Sequence, residues 1–269
     1  MPTAILDLDL AALPATLAVA PCYGEALVLG RWRGVPVAVV RVPVRAGGVP
    51  LDLLRHELVV QGGWHIEQLR VREWLGLPLT PAAAPSQAPA LTVAVCTRDR
   101  PEDLERCLAA LARLPDDGQE VLVVDSCSRE DSTRQVVARH PRVRYVRESR
   151  PGLDIARNRA LREARGAIVA FTDDDAVADP GWLRALAARF RDPRVLCVTG
   201  LTLPLELETE AQEWFERTNG FGRGLRPRSF DGTGMDPFRV AQAGAGVNMA
   251  LRRTVPELLG EFDEALDAG

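Results

Sequence analysis

Residues 91–114, LTVAVCTRDRPEDLERCLAALARL, predict a buried β-strand followed by an amphipathic α-helix. The run LTVAVC is continuously apolar, as in a strand that is covered on both faces. After Pro101, the side chains of Leu104, Leu108 and Leu111 fall on one face of a helix. The same alternation returns in EVLVV and SREDSTRQVVARH, in VRYV and LDIARNRALREA, and in AIVAFT and PGWLRALAARF. The pattern therefore predicts an α/β fold with a mostly parallel sheet flanked by helices.

A proline- and alanine-rich stretch, PLTPAAAPSQAPA at residues 78–90, predicts a linker because proline disfavours helix continuation. We therefore divide the chain into an N-terminal region, residues 1–77, and a larger domain, residues 91–269. In the N-terminal region, ALVLGRW and VPVAVVRVPV predict strands, and LDLLRHELVV and HIEQLRVREWL predict helices. This region is expected to be a small α+β appendage without a catalytic or metal site.

The composition is that of a globular chain with a substantial core, since 46% of its 269 residues are hydrophobic. The formal net charge of -4 argues against nucleic acid as a partner, because nucleic-acid binders carry a basic excess. Five cysteines without a CxxC pair are typical of the reducing cytoplasm. The N-terminus has no secretory leader pattern and no apolar run has the length of a membrane span, so a cytoplasmic location is expected.

Polar residues follow three of the predicted strands, at the sheet edge where ligands bind in α/β folds. Asp125 is suited to accept hydrogen bonds from a base or ribose, although a loop cap is an equally common role for such an aspartate. Asp173, Asp174 and Asp175 repel one another, and a divalent cation would neutralise them. The alternative is a solvated acidic loop that caps the following helix. The strand context favours a metal site with Asp173 and Asp175 as ligands.

Five segments, in this order, resemble the family 2 glycosyltransferases of the GT-A fold: VAVCTRDRP, VLVVDSCS, PGLDIARNRAL, AFTDDDAVADPGWL and GAGVNMALRR. The resemblance covers residues 91–269 and implies a Rossmann-like GT-A domain that binds a nucleotide-diphosphate sugar. It also implies that Asp173 and Asp175 hold Mn²⁺ or Mg²⁺. The residues that it assigns to the donor site are Thr97, Arg98, Asp125, Asp154, Arg157, Asp173 and Asp174.

Two further segments take their expected roles from the resemblance. Residues 152–158 resemble the donor-contacting loop and helix start, where backbone N–H groups and Arg157 would meet a diphosphate. From spacing alone, an ordinary ion pair between Arg157 and Asp154 is the better interpretation. The second segment is rich in glycine, which lets a substrate approach the backbone closely, and its alternative is a tight turn that enters a strand. The residues implied to face the acceptor there are Gly244, Ala245, Gly246 and Asn248.

The sequence departs from the family pattern at two places. Ser126 and Cys127 stand where a second carboxylate and a glycine are more usual after the strand aspartate. The family also carries an acidic motif soon after a segment like FDEALDAG, which here ends at Gly269. The catalytic base is therefore expected beyond Gly269, and we assign that role to no carboxylate of this chain.

The resemblance implies transfer of a sugar from a UDP-, GDP- or dTDP-linked donor to a hydroxyl acceptor, with inversion at the anomeric carbon. The acceptor would be a glycan, a lipid-linked molecule or a polysaccharide, and a lipid-linked acceptor would imply peripheral association with the inner face of the membrane. The alternative is a scaffold domain of the same fold that binds a nucleotide sugar without turnover. A nucleotidyltransferase is disfavoured because CTRDRPEDL lacks a glycine-rich phosphate loop.

Overall fold

A computed structural model of the protein describes residues 1–79, 89–222, 224–231 and 237–267. Most of the predicted linker, residues 80–88, and the terminal Gly269 lie outside the described residues. Contacts group the described chain into two units, one within Met1–Pro81 and Leu201–Gln242 and the other within Ala82–Gly200 and Ala243–Gly269. The strands are β1 (Thr3–Asp9), β2 (Glu25–Trp32), β3 (Val35–Pro43), β4 (Leu91–Thr97), β5 (Glu120–Ser126), β6 (Val143–Glu148), β7 (Ile168–Asp173), β8 (Cys197–Thr199) and β9 (Met249–Arg252). The α-helices are α1 (Leu51–Trp74), α2 (Pro101–Leu111), α3 (Ser132–Ala138), α4 (Leu153–Glu163), α5 (Trp182–Arg189), α6 (Glu210–Asn219) and α7 (Val255–Leu259).

The first unit contains a three-stranded sheet in the order β1–β2–β3. β1 runs parallel to β2, and β2 and β3 form an antiparallel hairpin. The hairpin turns at Arg33 and Gly34, whose φ angles of 47° and 81° belong to the tight turns that match the twist of the strands. α1 packs Leu54 and Leu58 into the core of this sheet. The unit has the α+β character that the sequence predicts, although the two predicted helices form one helix of 24 residues.

Residues 201–242 group with the first unit, whereas the sequence prediction placed them in the larger domain. The backbone N–H of Thr3 donates to the carbonyl of Leu207 at 2.9 Å. Arg41 of β3 pairs with Glu213 of α6 at 3.2 Å. These pairings join segments that are far apart in the sequence, so no local pattern predicts them. β1 was also missed, although Leu6, Asp7, Leu8 and Asp9 alternate between apolar and polar residues as in a half-buried strand.

The second unit contains a six-stranded sheet in the order β6–β5–β4–β7–β9–β8. β4, β5, β6 and β7 run parallel to one another. β9 runs antiparallel to its two neighbours, β7 and β8. α2 and α5 contribute Leu108 and Leu186 to one hydrophobic core, and α4 contributes Leu161 to another. The predicted α/β fold with a mostly parallel sheet flanked by helices is confirmed.

All four predicted strand–helix pairs are present in the second unit. α2 begins at Pro101, which suits a first helical position because an N–H group has no intrahelical partner there. None of the described helices combines the length and the apolar character that crossing a membrane requires. The five cysteines are free thiols.

Candidate active site

The ends of β4, β5 and β7 meet at one edge of the parallel sheet. Thr97 lies opposite Asp125 in the register of β4 and β5, and Cys96 lies opposite Asp173 in that of β4 and β7. The residues at these strand ends border a cleft of about 360 Å³. The cleft therefore lies where ligands bind in open α/β sheets. Its lining residues are Cys96, Thr97, Arg98, Arg100, Ser126, Gly152, Leu153, Ala156, Asp173, Asp174 and Asp175.

A second concavity, of about 680 Å³, lies beside α3 and is more open to solvent than the cleft. Arg129, Asp131 and Arg147 are among its lining residues, and none of the side chains predicted for the donor or acceptor site borders it. Size alone does not identify a site. We therefore locate the candidate site in the smaller cleft, where strand ends and the N-terminus of α4 converge.

The loops after β4 and β5 hold each other in an uncommon backbone conformation. Asp99 and Cys127 have φ angles of 54° and 57°, in a left-handed region that costs a non-glycine residue about 1–2 kcal/mol. The carboxylate of Asp99 accepts hydrogen bonds from the backbone N–H and the Nε of Arg129, at 2.8 and 2.9 Å. These bonds lower the pKa of Asp99. Glycine, which is usual at the position of Cys127, adopts this conformation without strain. Cys127 adopts it too, so the loop keeps its geometry despite the departure from the family pattern.

Three consecutive aspartates at the end of β7, which we call the carboxylate turn, occupy different environments. Asp174 is buried, and its Oδ2 accepts a hydrogen bond from the Thr97 hydroxyl at 2.6 Å. The guanidinium of Arg100 donates to Asp174 Oδ1 at 2.8 Å and to Asp175 Oδ2 at 2.9 Å. Asp175 is exposed, whereas the first aspartate of the turn is half-buried. One arginine thus spans two of the three carboxylates.

Burial raises the pKa of two carboxylates of the turn. For Asp173, burial is the largest cause and the guanidinium of Arg157 opposes it. For Asp174, burial is again the largest cause, and the Thr97 hydroxyl and Arg100 oppose it. The turn therefore gathers negative charge that is partly withdrawn from water. A cation beside it would stabilise the ionised carboxylates.

The carboxylate turn is the place where the sequence predicts Mg²⁺ or Mn²⁺. Among the residues that the structure describes, no three His, Cys, Asp or Glu side chains form a set that could hold a metal ion by themselves. Next to a phosphate ligand, however, these hard cations take only one or two protein carboxylates and complete their shell with water and phosphate oxygens. The Arg100 guanidinium already stands as a cation between two of the carboxylates. That Asp173 and Asp175 hold such an ion stays a prediction.

The N-terminus of α4 borders the cleft, and a carboxylate of the same chain is bound to it. Asp267 accepts hydrogen bonds from the backbone N–H groups of Leu153 and Asp154, both at 2.9 Å. Negative charge is favourable at this end of a helix because the backbone dipoles point their positive ends there. Gly152 precedes the helix with a φ of 143°, and a Cβ at this position would clash with the Asp267 carboxylate. The N–H groups that the resemblance assigns to a diphosphate are thus paired with Asp267.

Residues 261–267, which we call the C-terminal segment, are held on α4 by several side chains. The amide of buried Asn158 donates through Nδ2 to the carbonyl of Phe262 and accepts through Oδ1 from the N–H of Phe262, both at 2.9 Å. Arg150 pairs with Glu264 at 2.7 Å. Because Asn158 satisfies both backbone groups of one residue, it fixes the register of the whole segment against the helix.

Arg157 and Asp154 form an ion pair at 3.0 Å, which is the interpretation that their spacing favoured. The Arg157 guanidinium also lies over the ring of Phe262, 5.7 Å from its centroid. A Cβ at Gly246 would clash with this guanidinium. The side chain of Arg157 is 17% exposed and is absent from the cleft lining. The structure thus brings Arg157 next to the segment predicted to face the acceptor, and its contact with a donor stays a prediction.

Asp125 is fully buried and does not line the cleft. Its Oδ1 accepts a hydrogen bond from the backbone N–H of Ser128 at 2.9 Å, and its Oδ2 accepts one from the Tyr145 hydroxyl at 2.6 Å. The first of these bonds is the loop cap that the sequence left open as an alternative. Because its side chain is fully buried, the donor contact of Asp125 stays a prediction.

The residues predicted to face the acceptor lie in the turn that enters β9. Gly246–Asn248 form a single 3-10 turn directly after Ala245. Gly244 has a φ of 131°, and Thr199 fills the space that its Cβ would take. The Oδ1 of Asn248 accepts a hydrogen bond from the indole N–H of Trp182 at 2.8 Å. The glycine positions agree with the tight-turn alternative, and acceptor contact stays a prediction.

A family model described as "Glycosyl transferase family 2" matches residues 92–255, which is more than half of the chain. The chain belongs to glycosyltransferase family 2. The matched range contains all the residues that the resemblance assigned to the donor, the metal and the acceptor. Membership confirms the resemblance on which the expectation of a GT-A domain rests.

Individual proteins extend this comparison. The chain is 28% identical over 193 residues to the glycosyltransferase AglE of Haloferax volcanii, which covers 68% of the chain and 59% of that protein. It is 30% identical over 132 residues to an uncharacterized protein of Mycobacterium tuberculosis, which covers 48% of the chain and 40% of that protein. The chain thus spans about half the length of these relatives.

Two solved structures are similar to the chain. One is a mannosyltransferase from Pyrobaculum calidifontis in complex with GDP-Man and Mn²⁺, with 27% identity, a TM-score of 0.49, and coverage of 72% of this chain and 53% of that one. The other is TarS of S. aureus in complex with UDP, with 20% identity, a TM-score of 0.49, and coverage of 67% and 52%. The family assignment rests on the sequence match.

Three side chains that shape the cleft were missed by sequence reasoning. Arg100 had a signal, because it lies two residues after Arg98 in a loop that was already assigned to the site. Asn158 also had one, since a polar residue between the buried Ala156 and Ala160 of a helix needs a specific partner. The contact of Asp267 with α4 had none, because it joins residues 114 positions apart.

Proposed function

We propose that the chain is the donor-binding domain of an inverting glycosyltransferase, which moves a sugar from a nucleotide-diphosphate sugar to a hydroxyl acceptor. The observation that carries the proposal is the shared cleft, in which Arg98, the carboxylate turn and the N-terminus of α4 border one space. Membership of family 2 and the similarity to a Haloferax glycosyltransferase support it.

The groups around the cleft suit the diphosphate of such a donor. Arg98 is exposed at the cleft, and a guanidinium binds phosphate oxygens through paired N–H groups. The backbone N–H groups of Leu153 and Asp154 suit another phosphate oxygen when they leave Asp267. Mg²⁺ or Mn²⁺ held by Asp173 and Asp175 would supply charge neutralisation for the departing diphosphate. These groups all serve the leaving side of the reaction.

The acceptor side of the reaction requires a catalytic base and a surface that binds the acceptor. Inversion by direct displacement requires a carboxylate that removes the proton of the acceptor hydroxyl from the face opposite the diphosphate. We assign no described residue to this role. Gly244, Ala245, Gly246 and Asn248 are proposed to face the acceptor, which is a glycan, a lipid-linked molecule at the inner face of the membrane, or a polysaccharide.

The proposal is tested by calorimetric titration with a panel of UDP-, GDP- and dTDP-linked sugars, each with Mn²⁺ and again with chelator. We expect one donor to bind and the chelator to weaken its binding. If folded protein binds none of the panel, the proposal is wrong. Binding of a donor without transfer to an acceptor would favour the alternative of a nucleotide-sugar-binding scaffold.

A further inference from the structure

The guanidinium of Arg100 lies among three carboxylates, two of which belong to the carboxylate turn. Its three guanidinium nitrogens each bind a different carboxylate: Nη1 binds Asp174 at 2.8 Å, Nη2 binds Asp175 at 2.9 Å and Nε binds Asp103 at 3.0 Å. The hydrogen bond with Asp175 is the largest cause that raises the pKa of Arg100. The arginine is thus a cation that pairs directly with two of the three carboxylates of the turn.

A divalent cation on Asp173 and Asp175 would meet Arg100 as a like charge. Two positive groups that share one carboxylate at these distances repel each other strongly in a partly desolvated site. Asp175 Oδ2 binds the guanidinium, so a metal ion on the same carboxylate would bind its other oxygen and lie close to the positive charge of Arg100. Arrival of a metal ion therefore favours release of Arg100 from the outer carboxylate.

After release, the guanidinium of Arg100 can bind a phosphate in the same cleft. Its side chain is 47% exposed and lines the cleft together with Arg98 and the N-terminus of α4. A guanidinium binds carboxylates and phosphates with the same fork of N–H groups, so the exchange of one for the other conserves its hydrogen bonds. The residue stands directly before α2, so a change in its side-chain rotamer breaks its contact with Asp103 but none of the backbone hydrogen bonds of that helix.

We propose that Arg100 is a positioning residue that holds the place of the divalent cation on the carboxylate turn and moves to the donor diphosphate when the metal takes Asp175. The inference deepens the proposed function and rests on it. The proposal predicts opposite effects on the affinities for the metal and for the diphosphate. Without Arg100 the metal alone binds more tightly, whereas the diphosphate in the presence of metal binds more weakly. A merely structural arginine would not move the two affinities in opposite directions.

The test compares wild type with Arg100→Gln and Arg100→Lys, using Mn²⁺ alone, followed by electron paramagnetic resonance of the free ion. Arg106→Gln is the matched control, because Arg106 lies on α2, is 68% exposed and pairs with Asp103 outside the turn. We expect Mn²⁺ to bind Arg100→Gln about tenfold more tightly than wild type, since a like charge has been removed. Arg100→Lys keeps that charge, so its Mn²⁺ affinity should stay close to that of wild type, as should that of Arg106→Gln.

The second measurement uses inorganic pyrophosphate with Mn²⁺ as the diphosphate probe, by calorimetry. We expect Arg100→Gln and Arg100→Lys to bind it several-fold more weakly than wild type, because neither offers a paired N–H fork. Equal, weaker or absent Mn²⁺ binding by Arg100→Gln would overturn the inference. Because these probes contain no nucleotide or sugar, failure of the inference is distinguishable from failure of the donor panel to bind.

Discussion

The carboxylate turn and the N-terminus of α4 both border the cleft, and each is paired with a group of opposite charge from the same chain. The partner of the turn, Arg100, belongs to the loop that follows β4. The partner of the helix, Asp267, is 114 residues from Leu153 and ends a segment that Asn158 fixes to α4. Releasing the first needs a new rotamer of one side chain. Releasing the second needs part of a segment to move.

The difference shows how one cleft can be neutralised in two ways. Each internal partner carries the charge sign of the ligand proposed to replace it, since Arg100 stands in for a cation and Asp267 for a phosphate. The turn is thus expected to exchange its partner at little conformational cost. The helix N-terminus is expected to depend on how firmly the C-terminal segment is anchored.

The largest effect is expected from the anchor itself, Asn158→Ala. The change removes the two hydrogen bonds to the backbone of Phe262 and a longer one to Glu264, so we expect the free energy of unfolding to fall by about 2–4 kcal/mol. Urea denaturation measures this. Arg162→Ala is the control, because it removes only exposed ion pairs between the same helix and segment, with Glu261 at 3.0 Å and Glu264 at 3.9 Å. It should cost about 0.5 kcal/mol or less. Equal losses would show that Asn158 is no anchor.

An intermediate effect is expected from Gly152→Ala, which sharpens the account of the helix N-terminus. The new Cβ clashes with Asp267 and strains a backbone with a φ of 143°, so we expect a loss of about 2–3 kcal/mol. Gly118→Ala is the matched control, with a φ of 82° and nothing within 4 Å of its Cβ. It should lose only about 1 kcal/mol. Hydrogen exchange should speed up at Leu153 in the first variant, and unchanged exchange there would contradict the contact.

The smallest effect is expected at the turn, from Thr97→Val. The change removes one hydrogen bond to the buried carboxylate of Asp174 while Arg100 keeps its own, so stability should fall by about 1.5–2 kcal/mol. Thr133→Val removes a neutral hydrogen bond to Ser128 at another buried site and should cost about 1 kcal/mol. Thermal or urea denaturation compares them. A larger loss for Thr97→Val than for Asn158→Ala would reverse the ranking of the two regions.

Much of this site could be predicted because its residues follow strands in the sequence. The carboxylate turn was singled out by its position after an apolar run, the resemblance assigned Thr97 and Arg98 to the donor site, and the structure brings all of them to one cleft. The partners of α4 could not be predicted, because the contact of Asp267 with a helix end depends on tertiary packing and leaves no local pattern. The antiparallel pairing of β9 with β7 and β8 could not be predicted either, because a strand of four residues is too short to carry a period.

The most direct test of the central claim is calorimetry of Asp175→Ala with the donor selected by the panel, in the presence of Mn²⁺. Asp116→Ala is the control, since Asp116 forms an exposed ion pair with Arg142 in the same unit. The account predicts that Asp175→Ala binds the donor on the order of a hundredfold more weakly and loses its response to chelator, while Asp116→Ala binds like wild type. Donor binding by Asp175→Ala with unchanged affinity and unchanged chelator sensitivity would contradict it.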